Sequence, residues 1–461
     1  MHQFTNKKLS DIIISNLEVE LVHFMFLGRK RELAFLEKLY NSNELNCVCL
    51  TGVAGIGKTT LLQEFGKHKR KAYFAVRACT NNANKAAFCA ELALQGIIDN
   101  ETSPTWQNAL RVFVKKAQGD KILLLLDDVQ ELTGAFAEFL PELVSLLQEE
   151  QQKLRLLVVF SGRDVAAESV IMKKAGFTVH QLVLQPLNYE ESLCCFVPFS
   201  DDEKVLLYGV TGGKPAYLRY IDDKLSFKEN LYRLFFAADA LLLSEGERLL
   251  AANFRQPHIY HAILCSVACG AVHMKDIAEA VGMPVNKTSK YVQVLLQHNY
   301  LRRLIPVIEA QEDKQHKNTY YVLQDSVLSF WYQYVYPYIS SIRMGFGNFL
   351  LRTKILPNLE KYGRQIFFKI CYQHCLILRE RKNFAIDFTL FGYIWPKGDC
   401  SSEQLRLAAY NKNQVCFIQC IWKKSKVDVQ VIKELQRDYI DVADRHNYYL
   451  IFRVKALRIE L

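Results

Sequence analysis

Apolar and polar positions along this chain follow two rhythms, and each predicts a different element. Short apolar runs bounded by turn residues predict strands covered on both faces. Leu45–Thr51 (LNCVCLT) is one such run. Lys121–Asp128 (KILLLLDD) is another, with five apolar residues in a row before two acids. Lys71–Val76, Leu154–Arg163 and Gln181–Leu184 are three more. Helical stretches separate them, beginning with TTLLQEF after the first strand. Strands alternating with helices predict a doubly wound parallel α/β sheet, whose ligand belongs at the carboxyl ends of the strands. From Ile259 to Leu304 the rhythm turns helical. Ile277, Ala278 and Val281 line one face of a first helix. Gly282 marks a turn, and Tyr291, Val294 and Leu295 line one face of a second helix. Asn299–Leu304 and Asn318–Leu323 then predict a two-stranded ribbon. The aromatic-rich stretch Asp325–Tyr338 reads as core at helical spacing, rather than as a platform for stacking bases.

Composition narrows the class. The 461 residues are half apolar and 23% charged, with 12% aromatics. That fills several packed domains and excludes a disordered, collagen-like or disulfide-stapled chain. The 58 Lys and Arg exceed the 48 Asp and Glu by ten, and Leu351–Leu461 alone holds 20 basic against 11 acidic residues. Nearly all of the excess therefore sits in the last quarter, which favours an acidic partner, nucleic acid first. The 13 cysteines are scattered, with no CxxC pair and no Cys/His cluster at zinc spacing. Reduced, buried thiols fit a cytoplasmic protein. Asn16, Glu18 and Glu20 interrupt the N-terminal apolar stretch, so no signal peptide is expected. No run approaches the ~20 apolar residues of a membrane span, so no membrane partner is expected.

The sharpest chemical signal is Gly52-Val-Ala-Gly-Ile-Gly-Lys-Thr59, a full GxxxxGK[ST] match between a predicted strand and a predicted helix. Gly52, Gly55 and Gly57 let backbone N–H groups curl around phosphate oxygens, and the helix start adds the positive end of its dipole. Lys58 is expected to reach the β- and γ-phosphates, Thr59 to ligate Mg²⁺, and Thr60 to complete the nucleotide-facing set. Asp127 is expected to hold the Mg²⁺ through water. Asp128 takes the place of the water-activating acid. The cofactors implied are ATP and Mg²⁺.

The chain resembles the archaeal-type ATPase family, in the STAND and AAA+ branch of P-loop NTPases. The resemblance rests on Phe26-Leu-Gly-Arg-Lys-Arg-Glu-Leu33, the phosphate loop, LLLLDDVQ, VVFSGRD, LQPLNYEES and Thr211-Gly-Gly-Lys-Pro-Ala-Tyr-Leu218. It implies that Gly28 and Arg29 lie near the adenine, that Pro215 closes that pocket from a small helical lid, and that Arg163 occupies a sensor-like catalytic position. The double Asp resembles STAND members, and its shorter second acid implies slow hydrolysis and a switch rather than a motor. The expected architecture is a P-loop NTPase parallel sheet with a helical lid, a winged-helix domain, and an α/β restriction-nuclease-like domain. The expected bounds are an N-terminal extension at 1–24, the ATPase core at 25–200, the lid at 201–252, the winged helix at 253–345 and the nuclease-like domain at 346–461. In a DNA-reading winged helix, Asn286, Lys287, Ser289 and Lys290 lead into the major groove. Sparse basic residues on that helix favour intramolecular packing instead.

The C-terminal domain of the family resembles a PD-(D/E)XK nuclease, in which two acids hold Mg²⁺ and a Lys steadies the attacking water or the phosphate. In this sequence Arg406 stands where the metal Asp is expected, Gln419 stands for Glu, Ile421 for Lys, and Phe368 for a helical acid. Asp387 is a rival metal ligand on an apolar, strand-like run. Neutral Gln and cationic Arg do not suit a hard Mg²⁺. The expectation is a degenerate nuclease fold that keeps a basic surface, with Lys423, Lys424, Lys426, Arg379, Arg381 and Lys382 as phosphate contacts. The leading reading is a switch in which ATP·Mg²⁺ sets the angle between the core and the winged-helix arm. The basic module then reports on nucleic acid or a protein partner, with an ATP-dependent oligomer as a further possibility. The alternatives are an ATP-regulated DNA nuclease and a winged-helix DNA-binding regulator.

Overall fold

The computed structural model describes residues 26–42, 44–77, 79–98, 105–118, 121–129, 139–163, 165–251, 253–307, 319–395, 406–412, 414–418, 420, 422 and 449–450. The chain divides into two compact units. One ends at Leu187 and takes in Lys214–Arg219; the other comprises Asn188–Gly213 and the residues from Tyr220 onward.

The first unit is built on the predicted sheet. Its strands are β1 (Asn46–Thr51), β2 (Lys71–Ala75), β3 (Ile122–Asp127), β4 (Leu156–Gly162) and β5 (Val179–Val183). They pair in the order β2-β3-β4-β1-β5, and every pairing is parallel. The helices are α1 (Lys30–Asn41), α2 (Lys58–Phe65), α3 (Asn81–Leu94), α4 (Trp106–Ala117), α5 (Phe139–Glu150) and α6 (Ala166–Lys174). Alternation along the strands sorts side chains to two faces. Ala72, Phe74, Leu124, Leu126, Val158 and Phe160 face one core with Phe88, Trp106 and Phe113. Leu123, Leu125, Val48, Leu50, Val159 and Tyr73 face the other, with Leu61, Leu62 and Phe65 of α2. β3 is buried at all six positions, as an unbroken apolar run in a sheet covered on both faces must be. The predicted strands are present; four are trimmed by one or two residues at an end, and the fifth, expected from Gln181, begins at Val179.

In the second unit, α7 (Asp201–Thr211) packs on the long α11 (Leu359–Glu380), closely enough that a Cβ on Gly209 would lie 2.6 Å from Ile366. Residues 188–213 belong to this second unit. The predicted helix pair is α9 (Met274–Val281) and α10 (Val285–Gln297). Gly282 closes α9 in the left-handed region at φ 69°. Ahead of them runs α8 (His258–Ala268). The ribbon is β6 (Leu301–Leu304) antiparallel to β7 (Tyr320–Leu323). A second sheet, in the order β11-β10-β9-β8, holds β8 (Leu390–Ile394), β9 (Arg406–Tyr410), β10 (Gln414–Ile418) and β11 (Tyr449–Leu450). The aromatic stretch is core: Phe330, Trp331 and Tyr332 are fully buried. Trp331 Nε1 donates to the Leu243 carbonyl at 2.8 Å, and Tyr332 OH bonds His261 Nδ1 at the same distance. Among the described residues no helix is long and apolar enough to cross a membrane.

Candidate functional site

The sheet delivers its candidate residues to one end. β1 ends at Thr51, and the chain turns through Gly52–Gly57 into α2. Gly55 (φ 76°) and Gly57 (φ 93°) hold backbone angles that side-chain-bearing residues rarely adopt. The first turn of α2 carries no acidic side chain, which leaves its positive end to an external anion. Lys58 is 8% exposed, and its Nζ donates to the loop's own carbonyls, at 2.8 Å to Gly52 and 3.4 Å to Val53. Burial pulls the Lys58 ammonium below the usual lysine range. The Asp128 and Asp127 carboxylates oppose that shift, and Arg163 adds to it. A cation held at a disadvantage by burial gains more from an arriving phosphate than a solvated lysine would.

Asp127 closes β3 at 1% exposure. Its Oδ2 accepts from Thr59 Oγ1 at 2.7 Å, and its Oδ1 accepts from the Asp128 backbone N–H at 3.1 Å. The metal pair expected from the sequence is thus brought together across 68 residues of chain. Thr59 and Asp127 are hard oxygen donors of the kind Mg²⁺ takes alongside substrate phosphates and waters, so the donor set fits that ion. Asp128 is exposed, at φ 56° in the left-handed region. Arg163 is exposed just after β4. Thr60 is exposed on the first turn of α2. On β4, the Ser161 side chain is fully buried, and its Oγ has no hydrogen-bond partner among the described residues.

Two segments hold the phosphate loop from outside. Gly28 (φ 62°) and Arg29 (φ 59°) form a tight left-handed turn before α1. The Arg29 guanidinium is buried and donates to the Ile56 carbonyl and to Glu32 Oε1, each at 3.0 Å. From Lys214–Arg219, the Ala216 N–H donates to the Gly55 carbonyl at 3.2 Å. A Cβ on Gly55 would fall 2.8 Å from Ala216 Cβ, and one on Gly57 would fall 3.5 Å from Pro215. Pro215 therefore sits against the phosphate loop.

Two participants escaped the sequence reading. Tyr73 OH donates to Asp127 Oδ2 at 3.2 Å. Burial, and then the Asp127 charge, raise the Tyr73 phenol further above neutral pH, which keeps it a donor. Ala216 supplies only its backbone, so no side-chain chemistry announced it.

In the second unit, Asn286, Lys287 and Lys290 are exposed on α10, and Ser289 is half-buried, with its hydroxyl turned to the Asn286 carbonyl at 2.9 Å. The ribbon beside them packs inward. Tyr320 is 1% exposed and stacks on Trp395 at 4.5 Å between ring centres. Arg406 opens β9 opposite Ile394 of β8. Phe368 lies on α11 against Tyr393. Asp387 is exposed in the irregular segment before β8 and not on a strand, which corrects the strand-like reading of its neighbours. Two members of the basic set already have partners. Arg381 is paired with Glu190 at 2.8 Å, and Arg379 lies over the Phe388 ring at 4.5 Å. Lys382 is exposed at φ 56°. Gln419, Ile421, Lys423, Lys424 and Lys426 lie outside the described residues.

Comparison with known proteins follows the same division. Residues 25–159 match the AAA ATPase domain family, and residues 331–432 match a family described as archaeal and bacterial proteins of unknown function. An uncharacterised protein of Methanocaldococcus jannaschii is 24% identical over 444 residues, which is 93% of this chain and 95% of that protein. A second protein of that organism, an uncharacterised ATP-binding protein, is 44% identical over 46 residues, 10% of this chain and 78% of its own length. Among solved structures, a Walker-type ATPase of Pyrococcus abyssi aligns over 67% of this chain and 96% of its own, with 16% identity and a TM-score of 0.47.

Proposed function

We propose that this chain, which matches the AAA ATPase domain family at 25–159 and the archaeal and bacterial family of unknown function at 331–432, is a P-loop ATPase that works as an ATP-driven switch. ATP is bound by the phosphate loop, with Lys58 on its outer phosphates and Thr59 and Asp127 as the Mg²⁺ residues. The magnesium ion, when bound, neutralises phosphate charge and fixes the phosphates in place. Asp128 orients or deprotonates the attacking water. Arg163 senses the terminal phosphate. Gly28, Arg29 and Pro215 border the nucleoside end.

The observation that carries this reading is the 2.7 Å contact of Thr59 with Asp127, beside a loop whose glycines and buried lysine leave α2 open to an anion. The switch part rests on the coupling segment. Lys214–Arg219 belongs to the sheet unit, yet the chain on both sides of it belongs to the other unit. Its Ala216 N–H bonds the phosphate loop itself, so a phosphate that re-forms the loop pulls directly on the connection. The C-terminal module is a basic binding surface without cleavage chemistry, which Arg406 in the place of a metal acid supports. Nucleic acid is its first candidate partner.

Hydrogen exchange with and without ATP, alongside steady-state turnover, tests the switch. The expected result is altered protection in Lys214–Arg219 and a turnover well below ~10 s⁻¹, the median for ordinary enzymes. Faster turnover with no change in that segment contradicts it.

A further inference from the structure

Tyr73 lies outside every phosphate-loop and acid motif of the chain, yet it touches the acid on which the metal site depends. The contact follows from strand order. β2 is the edge strand and pairs in parallel with β3, with Tyr73 opposite Leu125 and Ala75 opposite Asp127. Tyr73 and Asp127 therefore share the face that carries α2, two pleats apart. The long tyrosine side chain spans that offset. Its OH reaches Asp127 Oδ2 at 3.2 Å, the oxygen that also accepts from Thr59 Oγ1 at 2.7 Å. With the Asp128 N–H on Oδ1 at 3.1 Å, three donors fix the plane of a buried carboxylate. A carboxylate so held cannot rotate about its terminal bond without breaking hydrogen bonds in a site of low dielectric.

Tyr73 is itself held in place. As a residue of the edge strand it has backbone groups that no further strand pairs among the described residues. Gln95, the residue that caps α3, supplies the missing partner. Its Oε1 accepts from the Tyr73 N–H at 3.0 Å, and its Nε2 donates to the Tyr73 carbonyl at 3.3 Å. The end of α3 is thereby tied through Gln95 and Tyr73 to the oxygen that Thr59 uses.

We propose that Tyr73 is a positioning residue for the metal site. It orients Asp127 and draws off part of its charge, so that the Thr59–Asp127 pair is preset for Mg²⁺ before nucleotide arrives. This rests on the ATP·Mg²⁺ reading above. Groups that orient metal ligands from behind typically change metal affinity by about 10–100-fold when removed.

The test is Tyr73→Phe, which keeps the ring on its core and removes only the hydroxyl. A fluorescent ATP analogue is titrated onto the full chain in excess chelator, and then Mg²⁺ is titrated into the complex. The proposal predicts unchanged affinity in chelator and a half-saturating Mg²⁺ concentration raised about tenfold or more. An unchanged Mg²⁺ midpoint overturns it. So does an equal loss of affinity with and without Mg²⁺, because that marks general damage to the fold. Failure of the unsubstituted chain to bind the analogue at all overturns the ATP reading itself, and this proposal with it.

Discussion

Asp128 shows how a single residue divides chemistry from architecture. Its backbone sits at φ 56°, where Asn and Asp are tolerated better than most residues. Asp128→Asn therefore keeps both shape and backbone while removing the charge. If Asp128 handles the attacking water, turnover falls about 10²-fold or more and ATP affinity stays the same. Retained turnover in that variant removes Asp128 from the chemistry. That Thr59 and Asp127 come together was legible in the sequence, because the GxxxxGK[ST] pattern and an acid ending an apolar strand are fixed in place along the chain. Tyr73 was not, because its role depends on which strand lies beside β3. In KAYFA nothing distinguishes a tyrosine that packs from one that also bonds an acid. Knowing that β2 borders β3 would have been the signal.

At the scale of elements, the ribbon was readable as two short strands, but its destination was not. Leu304 and Tyr320 join a buried cluster with Tyr393, Trp395 and Leu407. The ribbon therefore spends one face on the C-terminal sheet, and intramolecular packing accounts for it. The exposed Asn286, Lys287 and Lys290 on α10 stay outside that cluster. Below it, α11 presents Lys369, whose Nζ donates to Ser326 Oγ at 3.1 Å. Burial, and then Arg302, push this lysine from 10.5 down to about 8, with Asp325 opposing. A depressed lysine binds fewer protons folded than unfolded, so stability rises with pH between about 8 and 10.5. In urea unfolding across that window, the stability of the unsubstituted chain relative to Lys369→Met should rise by an amount on the order of 1–3 kcal/mol. A difference between the two that does not change with pH contradicts the assignment. Periodicity marks Lys369 only as a polar residue on a long helix; its burial near the repelling Arg302 comes from tertiary packing.

For the whole molecule, the basic excess of the last quarter does not translate directly into a phosphate-binding face. Arg381 is paired with Glu190, and a cation paired with a carboxylate contributes less to a long-range field than its count suggests, while Arg379 keeps its charge but lies over the Phe388 ring. Within the first unit, Lys214–Arg219 meets the phosphate loop through Ala216 on Gly55 and Pro215 against Gly57. The sequence motif around Pro215 was legible from resemblance. Its return to the sheet unit from within the other unit was not, since composition carries no record of which contacts a six-residue segment makes.

The central claim is that ATP·Mg²⁺ binds at this loop through Lys58. Lys58 Nζ also donates to the Gly52 and Val53 carbonyls, so the melting temperature of Lys58→Ala is read beside its ATP affinity to separate loss of binding from loss of fold. Calorimetric titration of ATP with Mg²⁺ into both proteins is the most direct measurement. The account predicts saturable binding to the unsubstituted chain and none to Lys58→Ala at an unchanged melting temperature; equal affinity in the two would contradict it.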